Sequence, residues 1–378
     1  MKILITGGAG FIGSALAESL SGCSHEVVIL DNLSPQIHGL NPAFISSNLL
    51  ENSNIKFIKG DIRNLDTLEP LLRTSDALVH LAAETGTGQS MHQISHYYLV
   101  NQQSTANIFE SIALRHKNIK RIILASSRSV YGEGAYLLNG DIFIPASRAP
   151  SNLQAGKFEP LGPNGEILKL IPTPESVSPS PSSFYAATKF ANEQMGKIFS
   201  EAFPVDVVAL RFQNVYGEGQ SLNNPYTGIL SIFSNRMRQN LPINIFEDGL
   251  ESRDFVHVSD VVDSIKRALF SNVSGFNVFN IGSGIPVSVM QVAQILKEML
   301  GSTSVLRITG DYRAGDIRHC YADLGLAKKR LGYFPSIELG DGLRRFVNWV
   351  ERQEVVHDRS SEVQSALAKI GLGRASGN

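Results

Sequence analysis

The strongest constraint on this chain lies in residues 2–31. "KILIT" (2–6) is a short apolar run containing β-branched residues. Gly7, Gly10 and Gly13 follow at once in a GxxGxxG spacing. "FIGSALAESLSG" (11–22) repeats apolar positions at helical intervals, and "HEVVILD" (25–31) is a second apolar run. Strand, glycine turn, helix and strand in that order make a βαβ unit, the start of a parallel sheet. Glycine lets the backbone turn sharply and approach a diphosphate, which the helix N-terminus then stabilises. In this context the spacing reads as a dinucleotide-binding turn; the plainer alternative is a tight turn without a ligand. Asp31 ends the second run. A carboxylate there accepts from the adenosine ribose hydroxyls and repels a 2′-phosphate, and no arginine follows in "DNLS", so NAD is the expected cofactor. Asp31 as a simple loop cap is the alternative. Asp61, in "KGDIRN", could meet the adenine or cap the next helix, and the residues leave both open.

The alternation continues. "NIKFIKGD" (54–61), "ALVHLAA" (77–83), "RIILASS" (121–127) and "VDVVALRF" (205–212) read as strands, with helical stretches at 93–115 and 184–202. Such apolar strands alternating with helices predict an α/β fold, a Rossmann-type doubly wound parallel sheet covered on both faces. After Phe212 the texture changes. A helix is expected near 228–239, a short strand at "INIF" (243–246), and helices at "PVSVMQVAQILKEMLG" (286–301) and 340–352. The expected layout is an NAD-binding domain over 1–212, joined by 253–283, a smaller α/β substrate domain over 213–353, and a tail over 354–378 that is helical at most and then disordered. Residues 133–180 are rich in Pro, Gly and Ser, and a loop this long usually serves a function. They are expected to fold as an appendage near the mouth of the site. Having no Cys or His, they are not expected to bind metal.

With 378 residues, 43% hydrophobic and 18% charged, the chain can bury a large core. A formal net charge of −1 gives no electrostatic case for nucleic acid or an anionic membrane. Cys23 and Cys320 are the only cysteines, which argues against a disulfide framework. No apolar run reaches membrane length, and "MKILITGGAG" is too short for a signal peptide, so cytoplasm is the expected compartment.

"FYAATKF" places Tyr185 and Lys189 four apart, on one helical face. A nearby ammonium favours the phenolate, which makes the tyrosine a usable base near neutral pH. Ser127 ends the preceding strand candidate and can hydrogen-bond the same substrate oxygen. Tyr185, Lys189 and Ser127 are the expected catalytic residues. Alone the YxxxK spacing is weak, but it follows a glycine turn, an aspartate and a strand-terminal serine.

At this point the chain resembles the extended short-chain dehydrogenase/reductases, in the sugar-nucleotide epimerase and dehydratase group. The matching stretches are "GGAGFIG", Asp31, "GDIR" (60–63), "HLAA" (80–83), Asn101, "SSRSVYG", "YAATK", "RFQNVYG" (211–217), "SRDFVHVSD" (252–260) and "YRAGDIRHCYAD" (312–323), which span most of residues 1–350. The insert at 133–180 is longer than that region is in ordinary members. The resemblance implies that Phe11, Ile12, Asn32, Ile62, Leu81, Ala82, Ala83 and Asn101 join the glycines, Asp31, Asp61, Tyr185 and Lys189 around NAD. It implies a nucleotide-diphosphate sugar as substrate, held by Asn214 and Arg253 at the diphosphate and by Arg313 and Asp316 at the phosphates and ribose. Guanidinium forks and amide donors suit a diphosphate, and a carboxylate suits a ribose diol. Without the resemblance, Arg253 reads equally as a surface ion pair with Asp254 or Glu251. Ile245 and Phe246 would run beside the nucleobase; Phe246 otherwise reads as a core aromatic.

In "HLAAETGTGQSM" (80–91), Gly86 permits close backbone approach, and Thr85, Thr87, Gln89 and Ser90 suit sugar hydroxyls; a hydrophilic loop with helix caps is the alternative. Together with "QNVYGEGQSLNNPYTGILSIF" (213–233) this is similar to the dTDP-L-rhamnose 4-epimerase group, whose product is dTDP-6-deoxy-L-talose. The expected reaction is oxidation at C4 to a ketone and reduction on the opposite face, with the insert keeping the ketone from escaping. Rival readings are a UDP-hexose 4-epimerase, a sugar-nucleotide reductase or dehydrogenase, a dehydratase, and a non-catalytic NAD sensor. Arg128 and Ser129 stand where 4,6-dehydratases of the group carry acidic residues, and neither readily supplies the acid and base that elimination needs. Arg128 either reaches the substrate or ties down the insert. Members commonly pair through helices matching 93–115 and 184–202, so a homodimer is expected.

Overall fold

The computed structural model describes residues 1–23, 25–39, 52–222, 224, 228–313, 316–355, 371 and 373–374. At its centre is a seven-stranded sheet of β1 (Lys2–Thr6), β2 (Glu26–Asp31), β3 (Ile55–Lys59), β4 (Ala77–His80), β5 (Arg121–Ser127), β6 (Asp206–Phe212) and β7 (Phe276–Ile281). The order is β7-β6-β5-β4-β1-β2-β3, and every pairing is parallel. Side chains alternate across the sheet. Ile3, Ile5, Val27, Ile29 and Ile123 enter the core on one face, and Leu4, Val28, Leu30, Leu78 and Ile122 enter it on the other. Burial on both faces is why these strands read as unbroken apolar runs. Each such side chain contributes about 1.5–3 kcal/mol of apolar burial.

The helices that cover the sheet are α1 (Phe11–Ser21), α2 (Leu65–Arg73), α3 (Ser104–Arg115), α4 (Phe184–Ala202) and α5 (Val258–Phe270). α1 and α5 share one face, and α2, α3 and α4 the other. The chain leaves β1 for β2 and β3, then returns across β1 to β4. Strand order therefore reverses between β1 and β4, and ligands in such sheets bind at the C-terminal ends of those strands.

Two expected elements differ in detail, and one strand is unexpected. The helix expected over 93–115 is interrupted: Ile94–Tyr97 passes into a π-helical stretch, Tyr98–Gln103, before α3 begins. The helix expected over 286–301 starts only at Val289, because Ser288 and Gln291 form a reciprocal capping box and Pro286–Ser288 pairs as a strand. β7, not among the strands read from sequence, returns from beyond Phe212 to the edge beside β6.

The remaining strands are short. Asn214–Tyr216 pairs with Ser252–His257, and Ile243–Ile245 pairs with Leu306–Ile308. They pack with helices Ile229–Arg238, Val289–Met299 and Leu339–Val350 around Phe233, Ile245, Leu296 and Phe346. The insert folds into a three-stranded antiparallel sheet of Tyr136–Leu138, Asp141–Phe143 and Lys169–Leu170. Its hairpin turns on Asn139 and Gly140, at φ of 54° and 94°, as a two-residue turn of this twist requires. Most of the expected tail lies outside the described residues; Gly373–Arg374 pairs with Tyr312–Arg313.

Candidate active site

A cleft of about 530 Å³ opens at the C-terminal ends of β1, β4 and β5. Its floor is set by glycine. Gly7 has φ of +70°, and a Cβ there would stand 2.6 Å from the Ala82 nitrogen; a Cβ on Gly13 would stand 2.4 Å from the Gly7 carbonyl. Gly10 is less confined, with its nearest neighbour at 3.3 Å. No side chain fits at Gly7 or Gly13, so the turn packs directly on the exit of β4 and leaves the start of α1 open to the cleft. Such a cradle suits the close approach of a dinucleotide pyrophosphate. Gly7, Gly10, Phe11, Ile12 and Gly13 line the cleft, as do Leu81, Ala82 and Ala83 across from them.

Asp31, Asn32, Asp61 and Ile62 line it as well. Asp31 caps its own loop as well as lining the cleft. Its carboxylate faces the cleft and also accepts from the backbone of Ala9 (3.1 Å) and Leu33 (2.8 Å). Asp61 takes Arg63 (2.7 Å) and Asn32 (3.0 Å), and the Arg63 hydrogen bond holds its carboxyl well below the usual range. The cap on the next helix is instead Asn64, which accepts from Asp66 and Thr67.

Ser127, Tyr185 and Lys189 meet in the cleft. The Lys189 ammonium donates to the Ala125 carbonyl at 2.9 Å and lies 5.8 Å from the centre of the Tyr185 ring. Burial pushes Lys189 down to about 8, so it remains mostly charged at neutral pH. Burial also raises Tyr185, opposed by the Ser127 hydroxyl and the Arg128 charge. The Ser127 oxygen accepts from the Ser129 amide (3.1 Å) and the Ser129 hydroxyl (2.9 Å), which leaves its own proton for the cleft.

Asn101 stands behind the wall. Its side chain accepts from the Glu84 amide (2.8 Å) and donates to the Glu84 carbonyl (3.0 Å) and to Thr188 (3.2 Å). Its carbonyl, freed by the π-helical stretch, accepts from Asn192 and Thr105. Asn101 thus fixes the wall after β4 to the helix that carries Tyr185 and Lys189.

Thr85, Gly86 and Thr87 line the cleft, with Gly86 at φ of +111°. Gln89 and Ser90 do not line it. Ser90 bonds the Thr87 carbonyl, and Gln89 exchanges a reciprocal amide pair with Gln36, at 3.0 and 2.9 Å. Gln36 belongs to a segment, 32–39, of which sequence reasoning named only Asn32. Ser34, Ile37 and His38 line the cleft, and Ser221 bonds the Ile37 carbonyl at 3.0 Å, so the segment straps Asp31 to the C-terminal part of the chain. Its one local signal is Ser34-Pro35, an ordinary helix start.

Asn214 and Asp316 line the cleft, while Arg253 is buried behind it. Arg253 donates to the Ser252 and Arg318 carbonyls, both at 2.9 Å, and lies 3.5 Å from Asp316. Asp254 is taken by Ser283, Gly284 and Ala322, so it is not the partner of Arg253. Ile245 is in the core and Phe246 is half-buried on the turn after it; neither reaches the cleft. Arg313 has its backbone in a short strand, and its side chain lies outside the described residues.

A glycine cradle at a sheet switch point, opening onto a serine, tyrosine and lysine, defines a Rossmann-type protein equipped for dinucleotide-dependent oxidation of a hydroxyl. The chain belongs to the NAD dependent epimerase/dehydratase family, whose model matches residues 3–282, and NAD is the cofactor. The dTDP-L-rhamnose 4-epimerase of Burkholderia thailandensis is 36% identical over 93% of this chain and 95% of its own length. Among solved structures, the UDP-N-acetylglucosamine 4-epimerase of Methanobrevibacter ruminantium, in complex with UDP-N-acetylmuramic acid, superposes with a TM-score of 0.76 at 28% identity, covering 93% of this chain and 99% of the other. The UDP-glucuronic acid 4-epimerase of Bacillus cereus, in complex with UDP-glucuronic acid and NAD, gives 0.74 at 26% identity over the same shares.

Proposed function

We propose that the enzyme inverts C4 of a nucleotide-diphosphate sugar, with the dTDP-L-rhamnose and dTDP-6-deoxy-L-talose pair as its substrates. The observation that carries this reading is the meeting of Ser127, Tyr185 and Lys189 in one cleft, with Arg128 and Ser129 beside them in place of an acid and base for elimination. Bound NAD supplies the oxidant and reductant of the cycle. Tyr185 takes the C4 hydroxyl proton and later returns it. The Lys189 ammonium, on the same helical face, favours the phenolate, and Ser127 donates its free proton to the same oxygen. Glu84 also lines the cleft, but its carboxylate pairs with His96 at 3.2 Å.

The strap over 32–39 favours a cofactor that stays bound through the cycle. The dTDP-6-deoxyhexose rests on the 36% identical relative. A homodimer is supported by Ile94, Tyr98, Leu99 and Ile198, apolar and exposed on Ile94–Gln103 and α4. The reading places the enzyme in the cytoplasm, supported by free thiols at exposed Cys23 and buried Cys320. Among the described residues no helix is long and apolar enough to cross a membrane.

The test is NMR of the purified enzyme in deuterated water with dTDP-L-rhamnose, UDP-glucose and UDP-glucuronic acid. The expected result is interconversion of the C4 epimers of the dTDP sugar, without carbon-bound deuterium and without stoichiometric change in NADH absorbance. Tyr185→Phe is expected to lower kcat about 10²–10⁴-fold while NAD remains bound. Deuterium at C3 or C5, or consumption of free NADH, would sink the epimerase reading.

A further inference from the structure

Arg128 follows Ser127 on a short 3-10 turn, Arg128–Tyr131, and lines the cleft. Its Nη1 is buried without a hydrogen-bond partner. The charged groups acting on it are Arg253, which repels it, and Asp316, which attracts it; the Cys320 thiol lies beside it, and no group of the insert is among them. Two guanidinium groups thus share a partly buried space with one carboxylate, already 3.5 Å from Arg253. Guanidinium does not lose its proton in proteins, and a buried N–H of one left without an acceptor is costly. Next to it stand other unanswered groups: both polar atoms of the Gln213 amide and the Asn214 oxygen are buried without partners, and both residues line the same cleft. Gln213 is 5% exposed. Buried polar groups are nearly always bonded, so a cluster like this marks where a ligand completes the structure.

We propose that Arg128 is a substrate-binding residue that takes an anionic oxygen of the diphosphate, bridging the phosphate end at Arg253 and Asp316 to the reacting end at Ser127 and Tyr185. This rests on the reading of the substrate as a nucleotide-diphosphate sugar. A lone thioether or methylene at position 128 would leave that charge to the remaining diphosphate ligands such as Arg253. Gln213 supplies neutral donor and acceptor capacity at the same place. The residue that stands where dehydratases carry acid thereby serves binding, and the insert is held by other residues.

The experiment is calorimetric titration of the NAD-loaded enzyme and its Arg128→Met and Arg128→Lys variants with dTDP, UDP, dTDP-L-rhamnose and UDP-glucuronic acid. Charge-assisted bonds of this type predict an about 10- to 100-fold rise in Kd for Arg128→Met with both free diphosphates and both nucleotide sugars. Arg128→Lys, which keeps the charge but not the fork, should recover part of it; it also decides the matter if Arg128→Met does not fold. Unchanged diphosphate binding in both variants overturns the proposal. So does weakening confined to the nucleotide sugars, which would place Arg128 on the hexose, or confined to UDP-glucuronic acid, which would place it on a sugar carboxylate. Diphosphate binding needs no turnover, so failure of epimerisation in the NMR test leaves this result readable.

Discussion

The cofactor cleft and the neighbouring insert are shaped by different forces. On the cofactor side the backbone decides: Gly7 and Gly13 leave no room for a Cβ, and Asp31 and Asn101 bind main-chain groups. On the insert side, charges from distant parts of the chain decide. Arg148 lies 2.8 Å from Glu247 and 3.6 Å from Glu133. Arg318, fully buried, donates to Glu159 (2.9 Å), Glu247 (2.9 Å) and Asp248 (2.7 Å). A backbone-set shape should tolerate almost no added atom and should be indifferent to pH. A charge-set shape should depend on each partner and on its protonation.

The largest effect is expected at Arg318. Arg318→Met leaves Glu247 buried with its second oxygen unanswered, beside Asp248, Glu159 and the nearby Glu251. Removing one side of a buried charge network costs about 3–5 kcal/mol. Chemical denaturation should show that loss, and limited proteolysis should cut the insert over 133–180 first. A cost near that of an exposed pair would show that the insert is held by its apolar contacts instead.

Next comes Gly7→Ala against Gly165→Ala. Both glycines have positive φ, +70° and +87°, but Gly165 has nothing within 4 Å of an added methyl while Gly7 faces the Ala82 backbone at 2.6 Å. Left-handed strain alone costs about 1–2 kcal/mol, and overpacking adds about 1–3. Gly7→Ala should therefore lose about 2–5 kcal/mol and purify without NAD, as the absorbance ratio at 260 and 280 nm would show. Gly165→Ala should lose about 1 kcal/mol and keep its cofactor. Equal losses would mean that steric confinement is not what makes the cradle.

This contrast explains what could be read from sequence. The glycine turn, the parallel strands and the Tyr185 and Lys189 pair depend on local spacing, which is visible in a string of letters, whereas Ser127 is legible only as a strand-terminal serine and through the family resemblance. The strap over 32–39 depends on Gln36 meeting Gln89, 53 positions away, and the insert depends on Glu159 meeting Arg318, 159 positions away. No periodicity marks such pairs. The π-helical stretch at Tyr98–Gln103 is hidden for a related reason: its apolar spacing is helical, and only contacts with Asn192 and Thr105 reveal the widened turn. Arg128 lies between the two cases. Its place next to Ser127 is local and by itself argues against elimination, but its charged neighbours Arg253 and Asp316 come from the other end of the chain.

The smallest effect separates the two regions by pH. The His319 hydrogen bond, with that of Arg318, holds the Glu159 carboxyl down to about 2, from an ordinary value of 4.5 and against the opposing effect of burial. A carboxyl lowered in the folded state contributes stability that is complete above about 4.5 and is lost as the pH falls toward about 2. Glu159 is more than half exposed, at 56%, so its share is about 1 kcal/mol or less at neutral pH. Glu159→Gln should melt slightly below the parent protein at pH 7, and the gap in Tm should close between pH 4.5 and 2. The gap between Gly7→Ala and the parent, being steric, should stay constant over the same range. If the Glu159→Gln gap were equally flat, the carboxylate charge would not be what fastens the insert to Arg318, and the distinction between the two regions would fail at this contact.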